Sequence, residues 1–310
     1  MPDFDAIVIG GGPAGATAGL LLAKAGWRVA VAEKREFPRR KVCGEFISAG
    51  TLSLLDELGI GDGVSRLAGP EIRRVALYAG DTVVSAPMPE APMPYRWGRA
   101  LGREHLDLLL LSAAARAGAL VLQPATVVAA DRAQDRWFVE LAGEGSDARL
   151  SAPVVIAASG SWERGPFGAI EPRHAASDLL GFKAHFQGAR LPSDLMPLLA
   201  FPGGYGGLVT SDAGRVSLSL CIRRDALRAC RAEQGTSRAG EAVLTHLLKS
   251  TKGARQVLQY AWADGPWLAA GPIQPGIRRP HARVFFTGNL AGEAHPIVAE
   301  GISMAIQSSV

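Results

Sequence analysis

The chain has 310 residues, 48% of them hydrophobic and 20% charged, with a formal net charge of +4. That length allows a sizeable core in one large domain or two interleaved ones, and the basic excess, scattered outside KREFPRRK at 34–41, has no aromatic-interleaved stripe for a nucleic acid. Three cysteines, Cys43, Cys221 and Cys230, lack metal-type spacing, which argues against a disulfide scaffold, predicts no metal site and fits a reducing cytoplasm.

Asp3 and Asp5 stand where a signal peptide would be basic. FDAIVIG then predicts a buried parallel strand, a short continuous apolar run bounded by glycines. AGATAGLLLAKAG predicts a helix that stops near Gly26, and WRVAVAEK a second strand, so the chain opens with a βαβ unit. Residues 51–60, TLSLLDELGI, predict a short helix. RRVALYAGDTVVSAPMP predicts a hairpin within a changed texture from about 72 to 98. REHLDLLLLSAAARAGA at 103–119 returns to a helix pattern, and Asp107 and Arg116 interrupt it too much for a membrane span. Contact with a membrane surface stays open on this composition.

ALVLQPATVVAADR, RWFVELAG and SAPVVIAAS are strand-like. In the block 166–277, GFKAHFQG and RVSLSLCIRR have strand character, and GEAVLTHLLKS is helical. RVFFTG at 283–288 predicts one more buried strand, followed by a loop and a helix beginning near Glu300. The fold class is α/β: a Rossmann-like nucleotide-binding domain, a parallel sheet flanked by helices, with an inserted and mainly antiparallel β-sheet domain. The first comprises 1–72, 98–165 and 278–310; the second comprises 73–97 and 166–277.

Gly10-Gly11-Gly12-Pro13-Ala14-Gly15 fits G-x-G-x-x-G with the required strand before it and helix after it. Gly10 permits the tight turn, Gly12 lets backbone approach a pyrophosphate, and Gly15 lets the helix pack close to the strand. The helix N-terminus offers free N–H groups and positive potential to phosphate. Glu33 ends the second strand, where a carboxylate accepts ribose hydroxyls and would repel a 2′-phosphate. These residues alone leave NAD and FAD open.

Three further stretches separate them. GNLAG at 288–292 precedes HPIVAEGISMAIQSS, KVCGEFIS occupies 41–48, and FPGGYGGLV occupies 201–209. Together with the glycine motif, these resemble the FAD-dependent family that includes p-hydroxybenzoate hydroxylase, the geranylgeranyl reductases and the flavin-dependent halogenases. In that family the late loop reads Gly-Asp-Ala-Ala-Gly, then Pro, then Gly-Glu-Gly before a helix. The resemblance spans essentially the whole chain and implies FAD, with NADH or NADPH as an external donor. It implies that Gly10, Gly12, Pro13, Ala14 and Gly15 hold the pyrophosphate, with Glu33 on the adenosine ribose. Lys34, Arg40, Arg103 and Val127 are implied around the same half of the cofactor.

Gly288, Asn289, Gly292, Pro296, Glu300, Gly301 and Ile302 are implied at the flavin half, with Cys43, Gly44 and Glu45 beside the isoalloxazine. Cys43, Glu45 and His295 are the candidate catalytic groups. His185 shares a strand face with Lys183, turned either to the pocket or to solvent. Two positions depart from the family pattern: Asn289 stands for Asp, which removes a charge and adds a donor, and Ser159-Gly160 stands for Asp-Gly. Family chains also continue past the late helix, whereas this sequence ends at Val310.

The resemblance implies an oxidoreductase, a monooxygenase (hydroxylase) or dehydrogenase acting on a hydrophobic or aromatic small molecule such as a polyketide phenol of secondary metabolism. Its alternatives are alkene reduction on a prenyl lipid and a flavin-fold binding protein that no longer catalyses. A halogenase would carry W-x-W-x-I-P, which GSWERGP does not match.

Overall fold

The computed structural model describes residues 2–143, 148–162, 165–167, 174–279 and 283–310. Residues 168–173 of the block that opens at 166 therefore lie outside the described residues.

Four consecutive apolar residues, Ala6–Ile9, form the central strand of a five-stranded parallel sheet, and all four are buried. Only a strand covered on both faces tolerates such a run. The strand pairs in parallel with Val29–Ala32 on one side and Val154–Ala157 on the other, with Ala6 opposite both Val29 and Val154. Leu120–Leu122 flanks Val29–Ala32, and Phe285–Phe286 flanks Val154–Ala157. The helix Pro13–Lys24 leaves from the end of the central strand, with Pro at its first turn. Its chain then runs to only one of the two neighbours. The carboxyl ends of Ala6–Ile9 and Val154–Ala157 thus open a crevice of the kind in which α/β sheets bind ligands.

Helix Arg103–Arg116 packs on the same side, and Leu20, Leu106, Leu110 and Ala114 share a core with Val8 and Val31. Helix Gly301–Gln307 joins that core through Ile302 and Ile306. Thr126–Ala133, Arg136–Ala142 and Ala148–Ala152 form a three-stranded antiparallel sheet on the other side, packed through Trp137, Val139 and Leu150.

The expected buried strand in RVFFTG is corrected. Only Phe285–Phe286 pair, at the edge of the parallel sheet, and Phe285 is 65% exposed. An edge strand has one neighbour, and alternation turns its successive side chains to opposite faces. Val284, beside it, is buried. Hydrophobicity alone does not reveal which strand will lie last.

The hairpin Arg74–Ala79 and Thr82–Pro87 joins strands from Leu179 to Ile273 in one eight-stranded sheet. Its pairings are antiparallel except Leu195–Phe201 against Arg74–Ala79. Helices Arg224–Gln234, Ala239–Ser250 and Lys252–Leu258 cover one face, and Leu227, Val243, Leu247 and Val257 pack with Phe182, Leu218 and Ile222. Among the described residues, no helix is long and apolar enough to cross a membrane.

Candidate functional site

A cavity of about 860 Å³ starts at the glycine turn, runs past the 41–48 loop and ends against the eight-stranded sheet. Every residue assigned from the sequence to the cofactor or to catalysis lines it except Gly15 and Gly292. Gly15 lies behind the turn: a Cβ there would sit 1.8 Å from the Gly10 carbonyl oxygen. Gly292 pairs with Ile277 in a short antiparallel bridge.

Gly10 has φ 108°, a conformation that favours glycine, and its N–H donates to the Ala32 carbonyl at 2.8 Å. A Cβ at Gly12 would meet only an Arg103 nitrogen, at 3.8 Å, so this position is left open to the cavity. The following helix has no side-chain cap. Pro13 has no N–H to satisfy, and the N–H groups of Ala14 and Gly15 have no protein partner among the described residues. An uncapped helix start over an open glycine turn suits a phosphate.

Glu33 is tied to this turn. Its Oε2 accepts the Gly11 N–H at 2.7 Å, and its Oε1 accepts the Arg35 N–H at 2.9 Å. A carboxylate has about four lone-pair sites, so acceptor capacity remains for ribose hydroxyls. Arg103 donates to both oxygens of Asp107, at 2.7 and 2.8 Å. Burial works against its charge, but the Asp107 carboxylate beside it keeps the guanidinium above its ordinary pKa. Two of its five N–H groups go to Asp107, leaving further donors near Gly12.

Sequence reasoning chose Arg40 and missed Arg39. Arg39 lies between Glu33 (3.9 Å) and Asp107 (3.7 Å), and its guanidinium covers the Phe37 ring at 4.8 Å. Its Nε is buried and has no hydrogen-bond partner. Arg40 also lines the cavity, but its guanidinium is engaged by Glu104 and by the Asp264 carbonyl. An unpaired buried donor, the open Gly12 position, the uncapped helix and Glu33's spare lone pairs all fit the ADP half of FAD. Arg39→Ala is expected to weaken FAD binding about tenfold, roughly 1.4 kcal/mol, as read by titrating apoprotein with FAD.

At the other half, Gly288–Leu290 forms a 3-10 turn against the first helix, and a Cβ at Gly288 (φ 61°) would lie 2.8 Å from Ala14 Cβ. The Asn289 carbonyl accepts Arg278, and its side-chain amide donates to Glu293 at 3.3 Å. Glu293, which the sequence reading passed over, also receives Ser161, the Gln274 N–H and Arg278. Burial raises its carboxyl above the ordinary value. Glu300 precedes helix Gly301–Gln307, and its carboxylate accepts the Ser48 hydroxyl at 3.2 Å.

The 41–48 loop joins the two halves. Glu45 has φ 64° and is 1% exposed. Lys183 Nζ lies 2.8 Å from its Oε1, and His185 Nε2 lies 3.1 and 3.0 Å from its two oxygens. Burial alone would raise this carboxyl, but Lys183 and His185 outweigh it and hold Glu45 well below the carboxylate range. Glu45 is therefore held as an ion-paired carboxylate, not as a proton donor. The two readings of His185 and Lys183 are both corrected: neither side chain faces solvent or lines the cavity, because the loop covers that strand face. Cys43 is partly exposed, and its sulfur accepts the Glu45 N–H at 3.4 Å.

His295 stacks on Tyr205 at 5.4 Å, with Nδ1 3.2 Å from the phenol oxygen. Burial raises the Tyr205 phenol and pushes the neighbouring Cys221 thiol up to about 11. Phe182, Met196, Leu198, Leu208 and Trp267 give this end an apolar wall. Outside the cavity, Glu104, His105 and Asp212 converge as metal ligands can, but Arg215 donates to Glu104 and Asp212 at 2.7 and 2.6 Å and already supplies their counter-charge.

Comparison with known proteins agrees with this geometry. The chain is 32% identical over 137 residues to menaquinone reductase of Mycobacterium tuberculosis, covering 44% of this chain and 33% of that protein. It is 36% identical over 108 residues to 6-methylpretetramide 4-monooxygenase of Streptomyces rimosus, covering 34% and 26%. These matches span about a third or less of the relatives' own length. The structure of a myxobacterial chondrochloren halogenase superposes with a TM-score of 0.84 at 22% identity, over 100% of this chain and 73% of the other, which shows a shared fold. The FAD binding domain family matches residues 3–168, more than half of the 310 residues. The match takes in the glycine turn, Glu33, Arg39 and Arg103, and the chain belongs to the FAD-binding domain family.

Proposed function

We propose that the chain forms the catalytic body of an FAD-dependent oxidoreductase that hydroxylates a hydrophobic aromatic small molecule, with NADH or NADPH as external electron donor. The observation that carries this reading is continuity. One cavity contains the glycine turn, the 41–48 loop and the apolar wall of Phe182, Met196, Leu208 and Trp267. A long cofactor and an aromatic substrate meet end to end in such a space. Residues 1–72, 98–165 and 278–310 serve as the FAD-binding part, and 73–97 with 166–277 as the substrate-binding part.

When bound, FAD supplies hydride acceptance and oxygen activation. The chain supplies the rest. Arg39, Arg103 and the helix at Pro13 neutralise the pyrophosphate, and Glu33 orients the ribose. The apolar wall excludes water from the substrate end. The His295 Nδ1 and Tyr205 hydroxyl, 3.2 Å apart, hold one proton between them at that end. The test is anaerobic mixing of FAD-loaded protein with NADH or NADPH, then admission of oxygen with a phenolic substrate. Bleaching of the flavin followed by a hydroxylated product is expected. A flavin that neither donor bleaches would overturn the hydroxylase assignment.

A second reading is reduction of a quinone or prenyl alkene, favoured by the named activity of the mycobacterial relative. Dithionite-reduced protein that is reoxidised anaerobically by a prenyl quinone would select it.

A further inference from the structure

We infer that Lys183 and Ser219 turn the Cys43–Gly44 peptide into a fixed hydrogen-bond donor, through the Gly44 N–H, aimed at the electron-rich edge of the flavin ring. The inference rests on the FAD reading above. The Cys43 carbonyl accepts two hydrogen bonds from the inserted sheet, from Lys183 Nζ and from Ser219 Oγ, each at 2.8 Å. Lys183 is 0% exposed and is itself held by Ser217 Oγ at 2.7 Å and Glu45 Oε1 at 2.8 Å. All three ammonium donors are therefore spent, and the lysine has one position.

A planar trans peptide sets its N–H opposite its C=O. With the carbonyl pinned into the sheet, the Gly44 N–H points the other way. Gly44 lines the cavity, a Cβ added there meets nothing within 4 Å, and its N–H has no protein partner among the described residues. Gly44 is exposed, so this N–H is open to an acceptor in the cavity. An ammonium on the carbonyl also polarises the peptide and strengthens the N–H as donor, since hydrogen bonds in a chain reinforce one another. A strengthened donor stabilises the electron-rich, reduced ring more than the oxidised one.

Lys183 and Ser219 are thus positioning residues that act on the bound ring through the Cys43–Gly44 peptide. Ser219→Ala removes one hydroxyl from a residue that lines the cavity, and Lys183→Met removes the ammonium of a residue that does not, but keeps the stem. The test measures FAD uptake, the visible spectrum and the two-electron midpoint potential of the loaded proteins. Wild type and both variants are expected to bind FAD. Lys183→Met is expected to shift the reduced-to-oxidised ratio about tenfold towards oxidised, about 30 mV more negative, with a smaller shift of the same sign for Ser219→Ala. Ser219→Thr, which keeps the hydroxyl, is expected to restore the wild-type potential. If Lys183→Met fails to fold, the Ser219 pair carries the test. Normal FAD uptake with unmoved potentials overturns this inference alone. Wild-type protein that takes up no FAD overturns the FAD reading and this inference together.

Discussion

Gly15→Ala is expected to abolish FAD retention and to destabilise the fold by about 3 kcal/mol. A glycine-to-alanine change inside a helix ordinarily stabilises by up to about 1 kcal/mol, because it lowers the entropy of the unfolded chain. Here the sign reverses. The new Cβ would sit 1.8 Å from the Gly10 carbonyl oxygen and 3.0 Å from the Ala158 side chain. Gly10 O is backbone at the turn itself, so relief requires moving the helix away from the strand. The N–H groups of Ala14 and Gly15 move with it, and the phosphate site is lost. Urea unfolding and a titration with FAD measure the two effects separately. A variant as stable as wild type that still retains FAD would contradict this packing.

Glu45→Gln is expected to cost about 3–5 kcal/mol near neutral pH, the usual consequence of removing one partner from a buried ion pair. The amide fills the same volume, so the loss is electrostatic. Lys183 would remain fully buried with only neutral acceptors, Cys43 O and Ser217 Oγ, beside the amide. The effect depends on pH with a defined sign. Glu45 titrates below its ordinary value of 4.5 in the folded protein. Its contribution is therefore complete above about that pH and is lost as pH falls through the lower, folded value. The gap between wild type and Glu45→Gln should narrow below pH 4.5. Urea midpoints at pH 7 and in acid measure it, and a gap that stays constant into acid would contradict the ion-pair account.

The parts legible in the sequence were those whose chemistry is local. Gly10, Gly12 and Gly15 sit at fixed offsets between a strand and a helix, and Glu33 follows at the end of the next strand, so their geometry follows from a few residues of chain. The family resemblance brought Cys43, Asn289 and Glu300 to the same space. Arg39 was missed because it adjoins Arg40 in a loop, and only the folded loop decides that Arg39 lies between Glu33 and Asp107 while Arg40 turns to Glu104. Alternation placed Lys183 and His185 on one strand face. What covers that face is a loop about 140 residues earlier in sequence, and no local pattern encodes that contact. Phe285 misled for a related reason: its burial depends on the strand order of the sheet.

The central claim is that one cavity, from the Gly10 turn to the sheet at Tyr205, holds FAD. The visible absorbance of the protein, as purified and after incubation with FAD and removal of the excess, tests it most directly. The expected result is a yellow protein with flavin bands and one FAD per chain, lost in Gly15→Ala and weakened in Arg39→Ala. A colourless protein that takes up no FAD, or one whose FAD content neither substitution changes, would contradict it.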